Sequence, residues 1–179
     1  MLLTRPYFDL DDLVQLCNAA LQFQKLLKDH AEKFEIARGS SHNHQAWDGG
    51  YLDHVVETLN IAFWLVTTSP RPLPFSLSDA LEVMFLHDLE KPWKHTKYHN
   101  ETLSLTSKSE RRAFRDMLIQ QYGIQLSDEQ RNALRYVEGV PDSEYTPGKR
   151  TMGELAALCH CCDILSARLW HDKGAEGAW

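Results

Sequence analysis

The sequence has no stretch of about 18 consecutive apolar residues, the length a membrane-crossing helix needs, so no membrane partner is expected. The first dozen residues lack a basic patch followed by an apolar segment; they do not read as a secretory leader, and the cytoplasm is the expected location. Cysteine is scarce. Of Cys17, Cys159, Cys161 and Cys162, three crowd into one segment, which excludes a disulfide framework. Positive charge is in deficit, with 19 Lys and Arg against 25 Asp and Glu and a net charge of -6, so nonspecific binding to nucleic acid is disfavoured. No segment alternates apolar and polar residues as a half-buried strand does, and no repeat or low-complexity tract occurs.

What is present is helical spacing. The 179 residues, 43% hydrophobic and 25% charged, suit one domain over residues 1–179. Leu13, Leu16, Cys17, Ala20, Leu21, Gln24 and Leu27 follow steps of three and four. They predict one long helix up to about residue 34, capped by Asp9 or Asp11. Residues 38–50 are rich in Gly, Ser, His and Asn and read as a loop. A second helix is predicted over 52–67, after which Pro70, Pro72 and Pro74 force an extended link. A third runs over 79–89, capped by Ser76 or Ser78 and ending before Pro92. Residues 91–106 read as a polar loop holding His95 and His99. A fourth helix starts at Ser107 or Ser109 and stops at Gly123; a fifth, over 128–137, begins with the capping box Ser127-Asp128-Glu129-Gln130. The last spans 151–171, and the tail from Lys173 is expected to fray. The expected fold is an all-α, compact helical bundle.

Three segments carry chemistry. In Phe85-Leu86-His87-Asp88-Leu89, an imidazole and a carboxylate end an apolar helix. Neighbours on a helix point about 100° apart, yet both can reach one ion beyond the helix end. That donor pair suits a divalent metal such as Mn, Fe, Co, Ni or Zn. In His44-Gln45-Ala46-Trp47-Asp48-Gly49-Gly50-Tyr51-Leu52-Asp53-His54, two glycines permit close backbone approach just before a helix whose first turn holds His54. In Cys159-His160-Cys161-Cys162-Asp163, a carboxylate lies inside an apolar helix, costly unless paired or metal-bound. The cysteines there point round the whole helix and cannot converge on one ion; they read as small core residues. Taken singly, each segment also has a structural reading: a satisfied core histidine, a Gly-Gly turn, a surface carboxylate.

Together, His54, His87-Asp88 and Asp163 resemble the HD superfamily of metal-dependent phosphohydrolases, whose pattern is a His, a His-Asp pair and a distant Asp. The lead-in from His44 through Trp47, Gly49 and Gly50 to His54 is similar to that of a bacterial subgroup containing 3′-to-5′ exoribonucleases. So are Leu86-His87-Asp88-Leu89-x-Lys91 and His160-x-x-Asp163. The likeness covers residues 41–168. It departs at Glu90, where the subgroup usually has Gly. It departs again at Arg135-Tyr136-Val137-Glu138, where two-metal members carry a His pair, so one divalent transition metal is expected.

The resemblance implies His54, His87, Asp88 and Asp163 as ligands and Lys91 in a catalytic role. From their own chemistry, Glu90 is a candidate for orienting or deprotonating the attacking water and His44 for holding a phosphate oxygen or protonating a leaving group. Trp47, Lys94, His95 and Arg38 are candidates for holding substrate, and His160 for supporting Asp163 from one turn away. The expected activity is hydrolysis of a phosphate ester or anhydride of a small nucleotide, by a nucleotidase or a (deoxy)nucleoside triphosphohydrolase. A phosphodiesterase or 3′-to-5′ exonuclease is the alternative, set back by the lack of an OB-type β domain. A non-catalytic nucleotide-binding module is the second. A homo-oligomer is compatible with the chain, but no exposed stripe marks an interface.

Overall fold

A computed structural model describes residues 7–40, 44–94 and 105–169. In chain order its helices are α1 Leu10–Val14, α2 Ala20–Asp29, α3 Ala31–Ile36, α4 Gly50–Thr67, α5 Leu77–Leu86, α6 Lys91–Lys94, α7 Lys108–Gln121, α8 Asp128–Tyr136 and α9 Glu154–Leu169. A 3-10 turn at Asp142–Glu144 precedes α9. Among the described residues there is no strand, as the absence of period-two patterning predicts.

The polar signals in the sequence set most helix starts. Asp9 caps α1, and Ser76, Ser107 and Ser127 each form a full capping box with the residue three positions on. Gly123, at φ 67°, ends α7 in the left-handed region that glycine takes without steric cost. The centre of the bundle is α4 packed on α5 and α9, with α8 closing against α5 and α9. Ala80 to Leu86 of α5 are all buried, so this helix is enclosed rather than amphipathic. Leu59 of α4, Leu81 and Met84 of α5, and Ala156, Cys159 and Cys162 of α9 form the shared core. Burial pushes the thiols of Cys159 and Cys162 up, away from the thiolate form; they pack as small apolar groups while Cys161 is exposed.

Two expectations fail. The first helix is not continuous: it breaks between Val14 and Ala20 and again at His30. At the first break, the backbone N–H of Asn18 donates to Ser78 Oγ (2.8 Å) and that of Ala19 to Glu82 Oε1 (2.9 Å). Side chains of α5 thus supply the acceptors that a continuing helix would have provided. At the second break, the His30 ring meets Trp93 edge-on and bonds Tyr122 Oη at 3.0 Å. The predicted loop from residue 91 also begins as helix. Pro92 stands in the first turn of α6, where its missing N–H costs nothing. His95, His99, residues 170–171 and the tail lie outside the described residues.

Glu82 is the polar pin of this arrangement. At 2% exposure its carboxylate accepts from Ala19 N, from Ser78 Oγ (3.1 Å) and from Gln130 Nε2 (2.7 Å), joining the start of α2 and α8 to α5. Removing it strands buried donors, each worth about 1–3 kcal/mol. Glu82→Ala is therefore expected to lower the unfolding free energy by about 2–3 kcal/mol in urea denaturation, against less than about 0.5 kcal/mol for the exposed Glu129→Ala.

Candidate metal centre

Three helices deliver four side chains to one point. His54 stands on α4 and is fully buried. His87 caps the C-terminus of α5, one residue past its end, and Asp88 follows as the chain turns into α6. Arg115 of α7 fixes that turn by donating Nη1 to the carbonyls of His87 (3.2 Å) and Leu134 (3.3 Å). Asp163 comes from the middle of α9. One ligand atom from each of the four lies within 4.8 Å of the others. The adjacent His and Asp do reach one point beyond the end of α5, with His87 Nε2 3.2 Å from Asp88 Oδ2. His54 Nε2 stands 3.5 Å from Asp88 Oδ2, 3.3 Å from Asp163 Oδ1 and 3.1 Å from His87 Nε2, and His87 Nε2 is 3.7 Å from Asp163 Oδ1.

These separations fit a coordination sphere. Ligand atoms about 2.1 Å from an ion and about 90–110° apart stand about 3.0–3.5 Å from one another. The outer ring nitrogens fit as well. His87 Nδ1 donates to the carbonyl of Met84 (2.6 Å), which can only accept. His54 Nδ1 meets Ser166 Oγ (2.9 Å), whose own proton goes to Glu57 Oε2 (2.6 Å), so here too the ring donates. In the neutral form of each ring the lone pair is therefore on Nε2, toward the carboxylates, the tautomer that a metal ligand requires.

Without a cation the four groups pair with one another. Burial opposes charge on His87, but Asp88 and Asp163 outweigh it and push the imidazole up to about 10. Burial likewise disfavours the charge of Asp88, yet Lys91 and His87 hold this carboxyl well below the usual range. Asp163 is lowered against burial by its bonds to His54 and His87. The chain spends two buried carboxylates and a buried imidazolium on a cluster that a single divalent ion would replace.

A second network lies behind His54. Gln45 is fully buried and holds φ 47°, the left-handed region, the one non-glycine to do so among the described residues. Its Nε2 donates to Glu57 Oε2 (2.7 Å) and lies 3.2 Å from Ser166 Oγ, while its Oε1 accepts from His44 Nδ1 (2.5 Å). The glycines answer to this residue. Gly49 takes φ 84°, and a Cβ on Gly50 would stand 2.1 Å from Gln45 O. Close approach and an unusual dihedral, the two uses expected of the pair, are divided between them. Gln45, Glu57 and Ser166 were not singled out from the sequence. The available signal is spacing: Glu57 and Ser166 each lie one helical turn after a ligand, His54 and Asp163, and are polar on a buried face.

The other candidates divide. Lys91 Nζ sits 2.5 Å from Asp88 Oδ2 and is mostly buried. Glu90 is buried rather than at the surface, and burial with the nearby Asp88 pushes it up to about 7. The His44 ring lies 5.2 Å from that of His54, and burial holds it toward its neutral form. Lys94 is partly buried and shifted down by burial and by Arg111. Trp47 and Arg38 do not join this group: the indole donates to Asp53 (2.6 Å) and the guanidinium pairs with Asp48 (3.0 Å) on the exposed rim of the loop. His160 does not support Asp163. Its Nδ1 donates to Val137 O (2.6 Å) and its ring lies against Gly139, tying α9 to the chain leaving α8. His95 lies outside the described residues.

Two outcomes follow. In chelator, the raised His87 contributes stability that is full below its ordinary value of about 6.5 and is lost as pH climbs through about 10. The lowered Asp88 and Asp163 contribute stability above the ordinary carboxylate range that is lost as pH falls below it. Denaturation of the metal-free chain should therefore show lower stability at about pH 10 than at about pH 6.5, with added divalent metal closing the gap; equal stabilities would count against the charged cluster. Ser166→Ala breaks the bond that orients His54 and is expected to weaken metal binding about 10–100-fold in a chelator competition, with helical content unchanged by circular dichroism.

Searches of family profiles, of curated proteins and of solved structures find no match to the chain, so the reading of this centre rests on its own geometry.

Proposed function

We propose that the protein is a hydrolase of the HD type, using one divalent metal to cleave a phosphate ester or anhydride of a small nucleotide. The observation that carries this reading is the convergence of two imidazole Nε2 atoms and two carboxylates on one buried point, with a lysine at its edge.

His54, His87, Asp88 and Asp163 would hold the ion. Bound there, a divalent cation polarises a phosphoryl oxygen and lowers the pKa of a water. The remaining contributions come from the chain. Two carboxylates balance a divalent charge, so Lys91 leaves the centre with the positive excess that a phosphate needs. Glu90, pushed up to about 7, exchanges its carboxyl proton near neutral pH, as a group taking a proton from an attacking water must. His44, kept toward neutrality with its Nδ1 proton given to Gln45, presents the lone pair of Nε2, which accepts a hydrogen bond or a proton from a water or a substrate hydroxyl. The burial of all these groups strengthens each charge on the substrate.

The reading is tested by phosphate release. Metal-stripped protein is reloaded with Mn, Co, Ni, Mg or Zn and offered nucleoside mono- and triphosphates, with a phosphodiester and a short RNA alongside. Release from a nucleotide, lowered at least about 100-fold in Asp88→Ala, is expected, since even the outer partners of a metal ligand are worth about 10–100-fold. Cleavage of the diester or RNA alone would move the assignment to a phosphodiesterase. Stoichiometric metal binding with no turnover on any substrate would overturn it.

A further inference from the structure

The basic residues of this acidic chain are not evenly spread. Lys108, the adjacent Arg111 and Arg112, and Arg115 stand three or four residues apart along α7, a stripe about 10 Å long. Beneath the stripe lies a small recess of about 20 Å³, lined also by His87, Glu90 and the end of α8. A larger cleft of about 330 Å³ shares Arg112 and Arg115 with that recess and carries on to Arg131 and Arg135 of α8, with Asp116 in its wall. Six of the chain's 19 basic residues thus line these two adjoining depressions in a protein of net charge -6.

Arg115 forms part of the floor. It is 7% exposed, its Nη1 is used by two carbonyls, and its Nε is buried with no hydrogen-bond partner; Asp116 Oδ1, at 3.7 Å, is too far to accept. A buried guanidinium N–H without an acceptor is unusual in a folded protein, and an anionic oxygen entering the cleft would supply one. Carboxylates offset the stripe in part: Glu138 on Lys108 (2.5 Å), Glu90 beside Arg111 (3.8 Å) and Glu144 on Arg135 (2.9 Å). Asp116 adds a fourth carboxylate, 3.7 Å from Arg115, and Arg112 donates Nη2 to the carbonyl of Arg135 (2.7 Å).

We propose that the cleft between α7 and α8, lined by Arg112, Arg115, Arg131 and Arg135, binds linked phosphate groups of a small ligand, at a site that none of the four candidate metal ligands lines. Guanidinium forks match phosphate oxygens two at a time, which spaced lysines on an open surface do not. A cleft of about 330 Å³ lined by four arginines suits a chain of phosphates rather than one, and a recess rather than a flat face suits a small molecule rather than a membrane.

The test is calorimetric titration of the full chain, stripped of metal, with inorganic tripolyphosphate. Saturable binding at one site is expected, weakened at least about tenfold in Arg112→Gln, the loss of a charge-assisted fork. Arg112→Lys should recover part of it, and Arg150→Gln, an exposed cation outside the cleft, should bind as the parent does. Thermal melts of the variants check that the fold is kept. Four results would each overturn the proposal: no saturable binding by the parent, equal weakening in Arg150→Gln, loss in Lys91→Gln with Arg112→Gln unaffected, or binding of a single-stranded oligonucleotide but not of tripolyphosphate. Because the titration reads binding without metal, its outcome is independent of whether the metal centre hydrolyses anything.

Discussion

The organisation of the molecule depends on orienting two imidazoles. A ring that holds its proton on Nδ1 must point Nε2 elsewhere, and in both His54 and His87 the acceptor at Nδ1 is fixed: a serine hydroxyl already committed to Glu57, and a main-chain carbonyl of α5. Neither ring can turn without losing a buried bond. The two Nε2 atoms are thereby brought face to face with Asp88 and Asp163, and four groups that would each be costly to bury alone become tolerable together. α4, α5 and α9 must meet closely for this to happen, and these are the helices at the centre of the bundle.

The loop ahead of α4 works as a wedge in support of that arrangement. A left-handed Gln45 is unfavourable for a side-chain-bearing residue, and it persists because its amide joins Glu57, Ser166 and His44 at once. Gly50 has no Cβ where Gln45's carbonyl lies, and Gly49 takes the positive φ that turns the chain into α4. Local backbone strain is thus exchanged for a fixed imidazole on α4 and a fixed imidazole in the loop.

Charge is distributed in a way that the net value conceals. An excess of acid argues against a polyanionic partner only if the charges are mixed, and here the α7 and α8 faces that line the cleft are basic. The same region fixes the ligand turn, since Arg115 both lines the cleft and holds the carbonyl of His87. Cleft and metal centre are neighbours through one main-chain segment.

Much of this was legible from the sequence because its causes are local. Helix starts at Ser76, Ser107 and Ser127 follow from a hydroxyl and a partner three residues on, and the stop at Gly123 from a backbone that needs no Cβ. The four candidate ligands were legible only as an ordered set, through its resemblance to a known pattern, since each segment alone also had a structural reading. What stayed hidden depends on partners far away in the chain. The break before α2 is set by Ser78 and Glu82, some sixty residues on, and His160 faces Val137 rather than its own helix neighbour Asp163. Gln45, Glu57 and Ser166 are ordinary polar residues until the fold stacks them, because a hydrogen bond between α4, its preceding loop and α9 has no signature in any one segment. Most helical stretches and the possible metal donors could be read from the chain alone, since propensity, capping and donor chemistry belong to single residues and their near neighbours. Which of those donors meet, which nitrogen each presents and where the arginines gather came only from the fold, since orientation is set by contacts between helices.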